Sequence, residues 1–549
     1  MAISVTETRG TDWRLRVCQA LAAVLIVWVW VLPMANSFWL DETLVAVLIK
    51  GTLAQALSNT ALWPQSFLFS GIEWIVLHIG GSSSEIVLRL PSLFAALATL
   101  YVWYRVGLEC FDRDCGVIFA TLYALLPQVA RQVPSARPYP LGLLAETAAL
   151  LFLLRWLKSH EASNAFLWSV CSAIAVHFQI TFGLAFGIEL LFVFALSLYK
   201  RSLNVWAVLG WATVTVALVT ALVPQTLMIF RERRLLEMPL AAPGIGELLR
   251  AAVPVVFIPI VFVLATDFFD GLIEGASHFA MNHQHVERIG QSEPDLLSSP
   301  GDQAVQDQAR GHVTVVIIRA LSVLEGASNR KWNWDEAFLL GLALMLIPIF
   351  GFFALSHLGT ASVFVPRYLL PAAPGLIIVW GLILWSVRPR WLRGLSLLAS
   401  VLLAALIAAR SGVIPHYQQD DWKAAAGAVK TAGSLIVYPG LVETRRLDWL
   451  DAPQRWPFLI APALAYRPDL SPKTGLVLPF NFGAEEKADV KRRLGPRLEG
   501  QKSVAIIARD MYSGQDWVSW ISEQARADGF RRISVSRFGI VDVVIFNKV

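Results

Sequence analysis

The sequence has few charged residues and few cysteines for its length. Asp, Glu, Lys and Arg make up 16% of its 549 residues, whereas they make up about 25% of an ordinary soluble chain. With 56% of the residues hydrophobic, the composition argues against a soluble protein. The four cysteines all lie in or beside apolar stretches, so we expect no disulfide framework; they are Cys18, Cys110, Cys115 and Cys171.

Three other features are missing as well. The net charge of +5 comes without a basic cluster interleaved with aromatic residues, which argues against nucleic-acid binding. No second ligand pair accompanies Cys110 and Cys115, so we interpret them as thiols at loop ends rather than as a metal site. No glycine-rich phosphate loop opens a helix of the C-terminal part, so we assign it no nucleotide.

The charges divide the chain into two parts. Residues 410–549 hold 20 Lys/Arg and 15 Asp/Glu, which leaves only 26 of each kind for residues 1–409. We therefore predict a membrane domain over 1–409 and a soluble domain over 410–549. Helical and strand-like segments alternate in the second part, which predicts an α/β domain. The predicted helices are 420–432, 484–494 and 516–527, and the predicted strands are 435–438, 504–508, 533–537 and 541–546.

Long apolar runs in the first part predict eleven membrane spans. The first has no cleavage pattern after it and is interpreted as a retained helix. Segments 43–57 and 65–80 are shorter or carry internal charge, and are predicted to be surface helices of a first outer loop, 36–87. The polar stretch 267–336 is long enough to contain a further pair of helices. The spans are 17–34, 88–109, 114–130, 137–157, 164–180, 182–199, 206–224, 251–268, 337–357, 364–386 and 391–409.

The positive residues of the short connections collect on one side of this map, which is therefore predicted to be cytoplasmic. The loop 36–87 and the domain 410–549 then lie on the opposite, extracytoplasmic side. Asp41 and Glu42 directly follow the first span, a costly position for carboxylates without a partner or a task. One interpretation is structural, with Asp41 capping a helix and Glu42 in its first turn. The other is that the pair takes part in chemistry.

Several arginines are predicted on the same outer face. Each alone is interpreted as an interface anchor, and a lone His177 is more often a hydrogen-bonded core residue. Together with a carboxylate pair, however, the arginines suit a substrate with a lipid phosphate, because a guanidinium matches two phosphate oxygens. The arginines are Arg89, Arg131, Arg137 and Arg367.

Short motifs in order along residues 35–435 carry a resemblance. They are Leu40-Asp41-Glu42, Pro64-Gln65-Ser66, Leu88-Arg89-Leu90-Pro91-Ser92, Ala136-Arg137-Pro138-Tyr139, a histidine closing a later span, Pro366-Arg367-Tyr368-Leu369-Leu370-Pro371 and Asp421-Trp422-Lys423. This order resembles the bacterial branch of glycosyltransferase family 39, which is similar to the dolichyl-phosphate-mannose protein mannosyltransferases and the lipid A aminoarabinose transferase. The sequence departs from the pattern at Phe67, where proline is frequent, and at Lys423, where arginine is usual.

The resemblance implies a type C glycosyltransferase fold in a bacterial inner (plasma) membrane, α-helical and polytopic. It would have about 11 to 13 transmembrane helices and a C-terminal α/β extracytoplasmic domain, on the periplasmic side together with the active site. It implies Asp41 as general base, Glu42 as its neighbour and Arg137 at the donor phosphate, helped by Arg89, Arg131 or Arg367. The residues expected to bind substrate are Tyr139, His177, Tyr368 and Gln65.

The implied function is transfer of a hexosyl or pentosyl group from a polyprenyl-phosphate donor to an acceptor hydroxyl, with inversion. The acceptor is a cell-envelope glycolipid, a polysaccharide or a protein. No cofactor is required, and no metal is predicted. The alternative is a polytopic transporter or flippase of lipid-linked sugars. We expect neither an internal repeat nor intramembrane carboxylates, and both expectations argue against that alternative.

Overall fold

The computed structural model describes residues 13–61, 66–200, 204–227, 231, 241–263, 334–358, 362–387, 390–410 and 420–548. The described residues up to Arg410 form helices and the turns that connect them. In chain order the helices are α1 Trp13–Ile26, α2 Leu40–Leu48, α3 Leu53–Ala61, α4 Phe67–Gly80, α5 Glu85–Cys110, α6 Arg113–Leu125, α7 Pro127–Gln132, α8 Tyr139–Ser159, α9 Ala162–Phe178, α10 Phe182–Lys200, α11 Val205–Val219, α12 Ile245–Ala252, α13 Trp334–Leu358, α14 Ala373–Ser386 and α15 Arg390–Arg410.

Seven helical segments in the described part of the chain are long and apolar enough to cross a membrane, so the protein is a multi-pass membrane protein. An eighth span results if Ile245–Ala252 and Val255–Val263, which meet at an angle of 54°, are counted as one. The seven are Arg16–Ala35, Glu85–Cys110, Tyr139–Ser159, Phe182–Tyr199, Val205–Leu227, Asp335–Leu358 and Arg390–Arg410.

The other predicted spans are helical but shorter or interrupted. Segment 114–130 divides into α6 and α7 because Pro127 lacks an N–H and disfavours a helical conformation at Leu126. Segments 164–180 and 364–386 contain the shorter helices α9 and α14. The bent pair lies within or beside 251–268. The stretch 267–333, where a further helix pair was considered, lies outside the described residues.

The predicted outer loop forms three short helices, α2, α3 and α4. The predicted helix over 43–57 is divided because Gly51, with φ at +90°, turns the chain between α2 and α3. Ser66 begins α4, accepting a hydrogen bond from the Phe69 nitrogen at 3.2 Å. Before the loop, α1 continues as a π-helical turn, Val27–Val31, and a 3-10 turn, Leu32–Ala35.

The C-terminal part is an α/β domain with a five-stranded sheet. Its strands are β1 Ser434–Tyr438, β2 Gly475–Val477, β3 Ser503–Arg509, β4 Phe530–Phe538 and β5 Val541–Lys548, in the order β2-β1-β3-β5-β4. β1 pairs in parallel with β2 and β3, and β5 pairs in antiparallel with β3 and β4. The helices are α16 Trp422–Ala428, α17 Leu447–Leu450, α18 Trp456–Leu459, α19 Ala461–Leu464, α20 Ala484–Leu498 and α21 Gly514–Ala527.

Alternate residues of the strands pack on opposite faces of this sheet. One face packs on α20 and α21, through residues such as Ile436, Val490 and Trp517. The other packs on α16 to α19 and also on α2 of the outer loop, through Leu40 and Leu44. The four strands and three helices predicted in this domain are all present. Strand β2 and helices α17 to α19 were not predicted, because they are only three or four residues long.

Candidate functional site

Asp41 is the second residue of α2, but it does not cap that helix. Trp39 is the cap residue, and its backbone N–H donates to Glu42 Oε2 at 2.7 Å. Glu42 therefore satisfies the helix end. Asp41 Oδ2 instead lies 2.5 Å from Arg137 Nη2 and 3.3 Å from Arg367 Nη1. The structural interpretation of Asp41 as a helix cap is wrong, because its carboxylate is engaged by two arginines from distant parts of the chain.

The protonation state of Asp41 depends on these arginines. Burial alone would raise the pKa of Asp41, but the charges of Arg137 and Arg367 outweigh this and hold its pKa below the usual value of 3.8. Asp41 is thus a carboxylate at neutral pH, in the protonation state that a general base requires.

The guanidinium group of Arg137 can donate further hydrogen bonds. Its guanidinium lies 5.3 Å from the ring centre of Trp39 and 4.8 Å from that of Tyr139, which hold it between α2 and the start of α8. Nη2 pairs with Asp41, whereas Nη1 is buried without a partner among the described residues. A buried cationic donor without an acceptor is costly, so this nitrogen suits a ligand oxygen.

A cavity of about 670 Å³ reaches these arginines. Along the first span its lining passes from Leu25 and Val29 through Pro33 to Asn36, and so becomes polar towards the outer loop. Arg131, Arg137 and Arg367 line the same cavity. The rest of the lining is mostly apolar and includes Ile26, Trp30, Trp39, Ala124, Leu125, Pro127, Ala130, Val256, Val365, Ala404, Ile407 and Ala408. Such a cavity suits a long apolar chain with an anionic end.

Arg131 lies at the end of α7 and is exposed. It makes no ion pair within the described part of the chain, unlike Arg137 and Arg367, which both contact Asp41. Its charge is therefore available to an anion at the polar end of the cavity.

Arg89 and Glu42 have a different role from the predicted one. They form a buried bidentate pair, with Arg89 Nε 2.8 Å from Glu42 Oε1 and Arg89 Nη2 2.6 Å from Oε2. The remaining donors of Arg89 bind the carbonyls of Pro33, Met34, Asn36 and Ser37. Arg89 is 2% exposed and does not line the cavity, so no donor is left for a phosphate. This corrects its assignment as a phosphate-binding residue.

Glu42 also joins the loop to the segment that carries Arg137. Its Oε1 accepts a hydrogen bond from the Ala136 nitrogen at 2.6 Å. Glu42 is 1% exposed and is not among the residues that line the cavity. We assign it a positioning role, because it holds both ends of the Asp41–Arg137 pair in place.

Glu73 of α4 is a buried carboxyl group that interacts electrostatically with Glu42. It is fully buried, and neither carboxyl oxygen has a partner among the described residues. Burial, and then the charge of Glu42, raise the pKa of Glu73 to about 9. Folded Glu73 therefore keeps its proton at neutral pH.

We expect Glu73→Gln to stabilise the protein increasingly as the pH rises from about 4.5 to about 9. In this range the folded carboxyl keeps a proton that the unfolded chain releases, so the wild-type free energy of unfolding falls by up to about 1.4 kcal/mol per pH unit. The glutamine side chain does not ionise in this range, so the variant lacks this loss of stability. Thermal unfolding of both proteins at pH 5 and pH 8 checks this. Parallel pH profiles would contradict it.

The residues expected to bind substrate lie in different places. Tyr139 is buried against Arg137, and the ring of Tyr368 lies 5.3 Å from the guanidinium of Arg367, so both support arginines. His177 Nε2 lies 3.1 Å from the Leu218 carbonyl oxygen and does not line the cavity, so its assignment to substrate binding stays a prediction. Gln65 lies outside the described residues.

The C-terminal domain brings charged residues to Asp41 that the sequence analysis missed. Arg509 lowers the pKa of Asp41, after burial, Arg137 and Arg367. Burial, and to a smaller extent the charge of Asp41, raise the pKa of Glu443 to about 7. Asp420 pairs with Arg509 at 3.2 Å. No sequence signal singles these residues out, because they are between 379 and 468 positions from Asp41 in the sequence.

Among the described residues, no group of three or more His, Cys, Asp or Glu is arranged to hold a metal ion. The four cysteines form no disulfide bonds.

The fold is similar to that of a solved membrane protein. ArnT from Cupriavidus metallidurans, in a crystal structure bound to undecaprenyl phosphate, aligns over 98% of both chains at 14% identity and a TM-score of 0.50. The chain has a type C glycosyltransferase fold. The alignment with the oligosaccharyltransferase AglB from Archaeoglobus fulgidus covers 90% of this chain and 69% of the AglB chain, at 13% identity and a TM-score of 0.45. No family model and no curated protein matches the chain significantly.

This structural similarity confirms the type C glycosyltransferase fold that the sequence resemblance implied. It extends over the membrane helices and the C-terminal region that contains the sheet. The arginine cavity and Asp41 thus lie within a known membrane architecture, and their chemistry has to be argued from the site itself.

Proposed function

We propose that the protein transfers a sugar from a polyprenyl-phosphate donor to an acceptor hydroxyl with inversion, and that Asp41 is the general base. The observation that carries this proposal is the cavity that is apolar along the spans and ends at Arg131, Arg137 and Arg367. The polyprenyl chain occupies the apolar part, and the phosphate binds the arginines. The ArnT crystal structure, with undecaprenyl phosphate bound, supports a donor of this class.

The contacts of Asp41 indicate that the donor binds before proton transfer and attack take place. Arg137 and Arg367 pair with the carboxylate, which lowers its basicity. A donor phosphate competes for the same guanidinium groups, so its binding frees Asp41 to accept the proton of an incoming hydroxyl. The hydroxyl oxygen then attacks the anomeric carbon as the bond to the phosphate breaks.

The arginines also act on the leaving group. Negative charge grows on the phosphate as the glycosidic bond breaks, and Arg137 Nη1 has no protein partner among the described residues that would compete for it. Preorganised cationic donors in a partly dry site stabilise such charge without reorganisation. The energy comes from the activated donor, so the proposal needs no nucleotide.

Sugar transfer in detergent tests this proposal. The purified full-length protein is incubated with a short-chain polyprenyl-phosphate sugar and an alkyl glycoside, and products are followed by mass spectrometry. We expect a new glycoside with an inverted anomeric configuration. Intact donor after prolonged incubation, with or without Mg²⁺ or Mn²⁺, would overturn the proposal.

One observation favours the transporter alternative. Glu146 of α8 and Glu189 of α10 are both 0% exposed within predicted spans, which corrects the expectation that the spans contain no carboxylates. Glu189 accepts a hydrogen bond from Trp168 Nε1 at 2.7 Å, whereas Glu146 has no partner among the described residues. Neither lines the cavity. Movement of a fluorescent lipid-linked sugar across vesicles without any transfer would favour the transporter.

We further propose that the active site and C-terminal domain lie on the periplasmic side of a bacterial inner membrane. The support is the predicted distribution of positive residues and the odd number of predicted spans. A reporter that is active only in the cytoplasm, fused after Val549, is therefore expected to stay silent. A strong signal from this fusion, with the same reporter fused before Met1 as the active control, would reverse the assignment.

A further inference from the structure

We infer that the C-terminal domain provides an acceptor site next to Asp41, outside the lipid cavity, in which Glu443 binds a hydroxyl group of a saccharide. This inference rests on the proposed function. It adds the class of acceptor and a specificity-determining residue in a domain that lines no part of the lipid cavity.

The first argument is the interface between the outer loop and the C-terminal domain. The Phe38 nitrogen donates to the Tyr466 hydroxyl at 2.6 Å, and the Lys423 nitrogen donates to Ser37 Oγ at 3.2 Å. Lys423 Nζ also pairs with Glu85 at 3.0 Å. Leu40, directly before Asp41, is buried in the core of the C-terminal domain. Asp41 is therefore presented where the two domains meet.

The second argument is the topology of the sheet. Because β1, β2 and β3 are parallel, their carboxyl ends share one edge. Glu443 lies in the turn Val442–Arg445, shortly after β1 ends, and Arg509 is the last residue of β3. Ligands of open α/β sheets bind outside this edge. The same edge carries the charged groups that act on Asp41.

The third argument is electrostatic. The charge of Asp41 contributes, after burial, to the raised pKa of both Glu443 and Asp420, and Arg509 contributes to the lowered pKa of Asp41. The packing agrees with this, because Leu40, directly before Asp41, and Leu441, two residues before Glu443, belong to the same hydrophobic cluster. Asp420 is already neutralised by Arg509. Glu443 is half-buried and makes no ion pair within the described part of the chain.

These features suit a saccharide better than a simple alcohol or a peptide hydroxyl. Asp41 takes the proton of the attacking hydroxyl, and a neighbouring hydroxyl of the same sugar ring meets the carboxyl group of Glu443. A hydroxyl both donates and accepts, so it pairs with Glu443 in either protonation state. A serine or threonine side chain has a single hydroxyl, which reacts at Asp41, so it offers no second hydroxyl to Glu443.

The experiment compares octyl glucoside with 1-octanol as acceptors for the full-length protein and a short-chain polyprenyl-phosphate sugar. We expect the wild type to prefer octyl glucoside, and Glu443→Ala to reduce this preference about tenfold or more through the acceptor KM. Glu443→Gln should keep part of the preference. Binding of undecaprenyl phosphate should be unchanged in both variants. Glu485→Ala is the matched control, since Glu485 is exposed at the start of α20 on the other face of the sheet.

The outcomes separate the two proposals. If the wild type consumes the donor but Glu443→Ala keeps the full preference for octyl glucoside, the acceptor site is refuted and the transferase proposal stands. Preferential transfer to a serine-containing peptide also refutes it. If the wild type leaves the donor intact, the transferase proposal fails as well. If Glu443→Ala loses thermal stability, the acceptor preference of Glu443→Gln is used instead. If Glu443→Gln changes this preference no more than Glu485→Ala does, the inference is refuted.

Discussion

Replacing Asp41 with asparagine is expected to abolish sugar transfer while the protein still binds undecaprenyl phosphate. Loss of a general base costs about 10² to 10⁴ in rate. Binding should persist or become tighter, because Arg137 and Arg367 no longer pair with a carboxylate and are both available to the phosphate. Turnover of a polyprenyl-phosphate sugar and direct titration with undecaprenyl phosphate measure the two effects.

The two readouts of Asp41→Asn distinguish a base from a structural carboxylate. A structural role would lower thermal stability and lipid affinity together with turnover, since Arg137 and Arg367 would lose the group that holds them. Asp528→Asn serves as control, because Asp528 is exposed just after α21. Near-normal turnover of Asp41→Asn would refute its role as the base.

Replacing Arg137 with lysine is expected to lower turnover at saturating donor by at least roughly tenfold. Lysine keeps the charge but loses the planar fork that presents Nη1 and Nη2 to two oxygens. Removing one donor aimed at developing charge typically costs about 10² to 10³ in turnover, and lysine recovers part of this. The measurement is turnover at saturating donor, with expression and thermal stability near those of the wild type.

Arg393→Lys is the matched control for Arg137→Lys. Arg393 lies in α15, on the predicted cytoplasmic side, where its Nε donates to the Val387 carbonyl at 2.6 Å. Lysine keeps the charge and can donate to the same carbonyl, far from the proposed site, so turnover should not change measurably. Equal tolerance at both positions would make Arg137 an interface anchor and leave Arg131 and Arg367 as the phosphate ligands.

Much of the fold was predictable because its signals are local. A span or a strand is encoded by consecutive residues, so seven of the eleven predicted spans and the strands at 435–438, 504–508 and 541–546 were identified correctly. The boundaries were less certain where one residue redirects the chain, as at Gly51 and Pro127. Strand β2 has only three residues and gave no pattern.

The candidate site was only partly predictable. The sequence indicated that Asp41, Arg137 and Arg367 reach the same outer face, and the structure brings both guanidinium groups within 3.3 Å of the Asp41 carboxylate. The sequence also grouped Arg89 with the other arginines. Adjacent helical residues point in directions about 100° apart, so Glu42 turns into the core and pairs with Arg89, while Asp41 turns to Arg137.

The sequence by itself determined that this is a membrane protein with a terminal α/β domain, because hydrophobicity and periodicity are properties of consecutive residues. It also placed the carboxylates and arginines on one face through the order of the spans. Only the tertiary structure decided which arginines line the cavity and which one pairs with Glu42 instead. It alone placed Glu443 and Arg509 where they interact electrostatically with Asp41, because the proximity of residues so distant in the sequence depends on how the two domains pack.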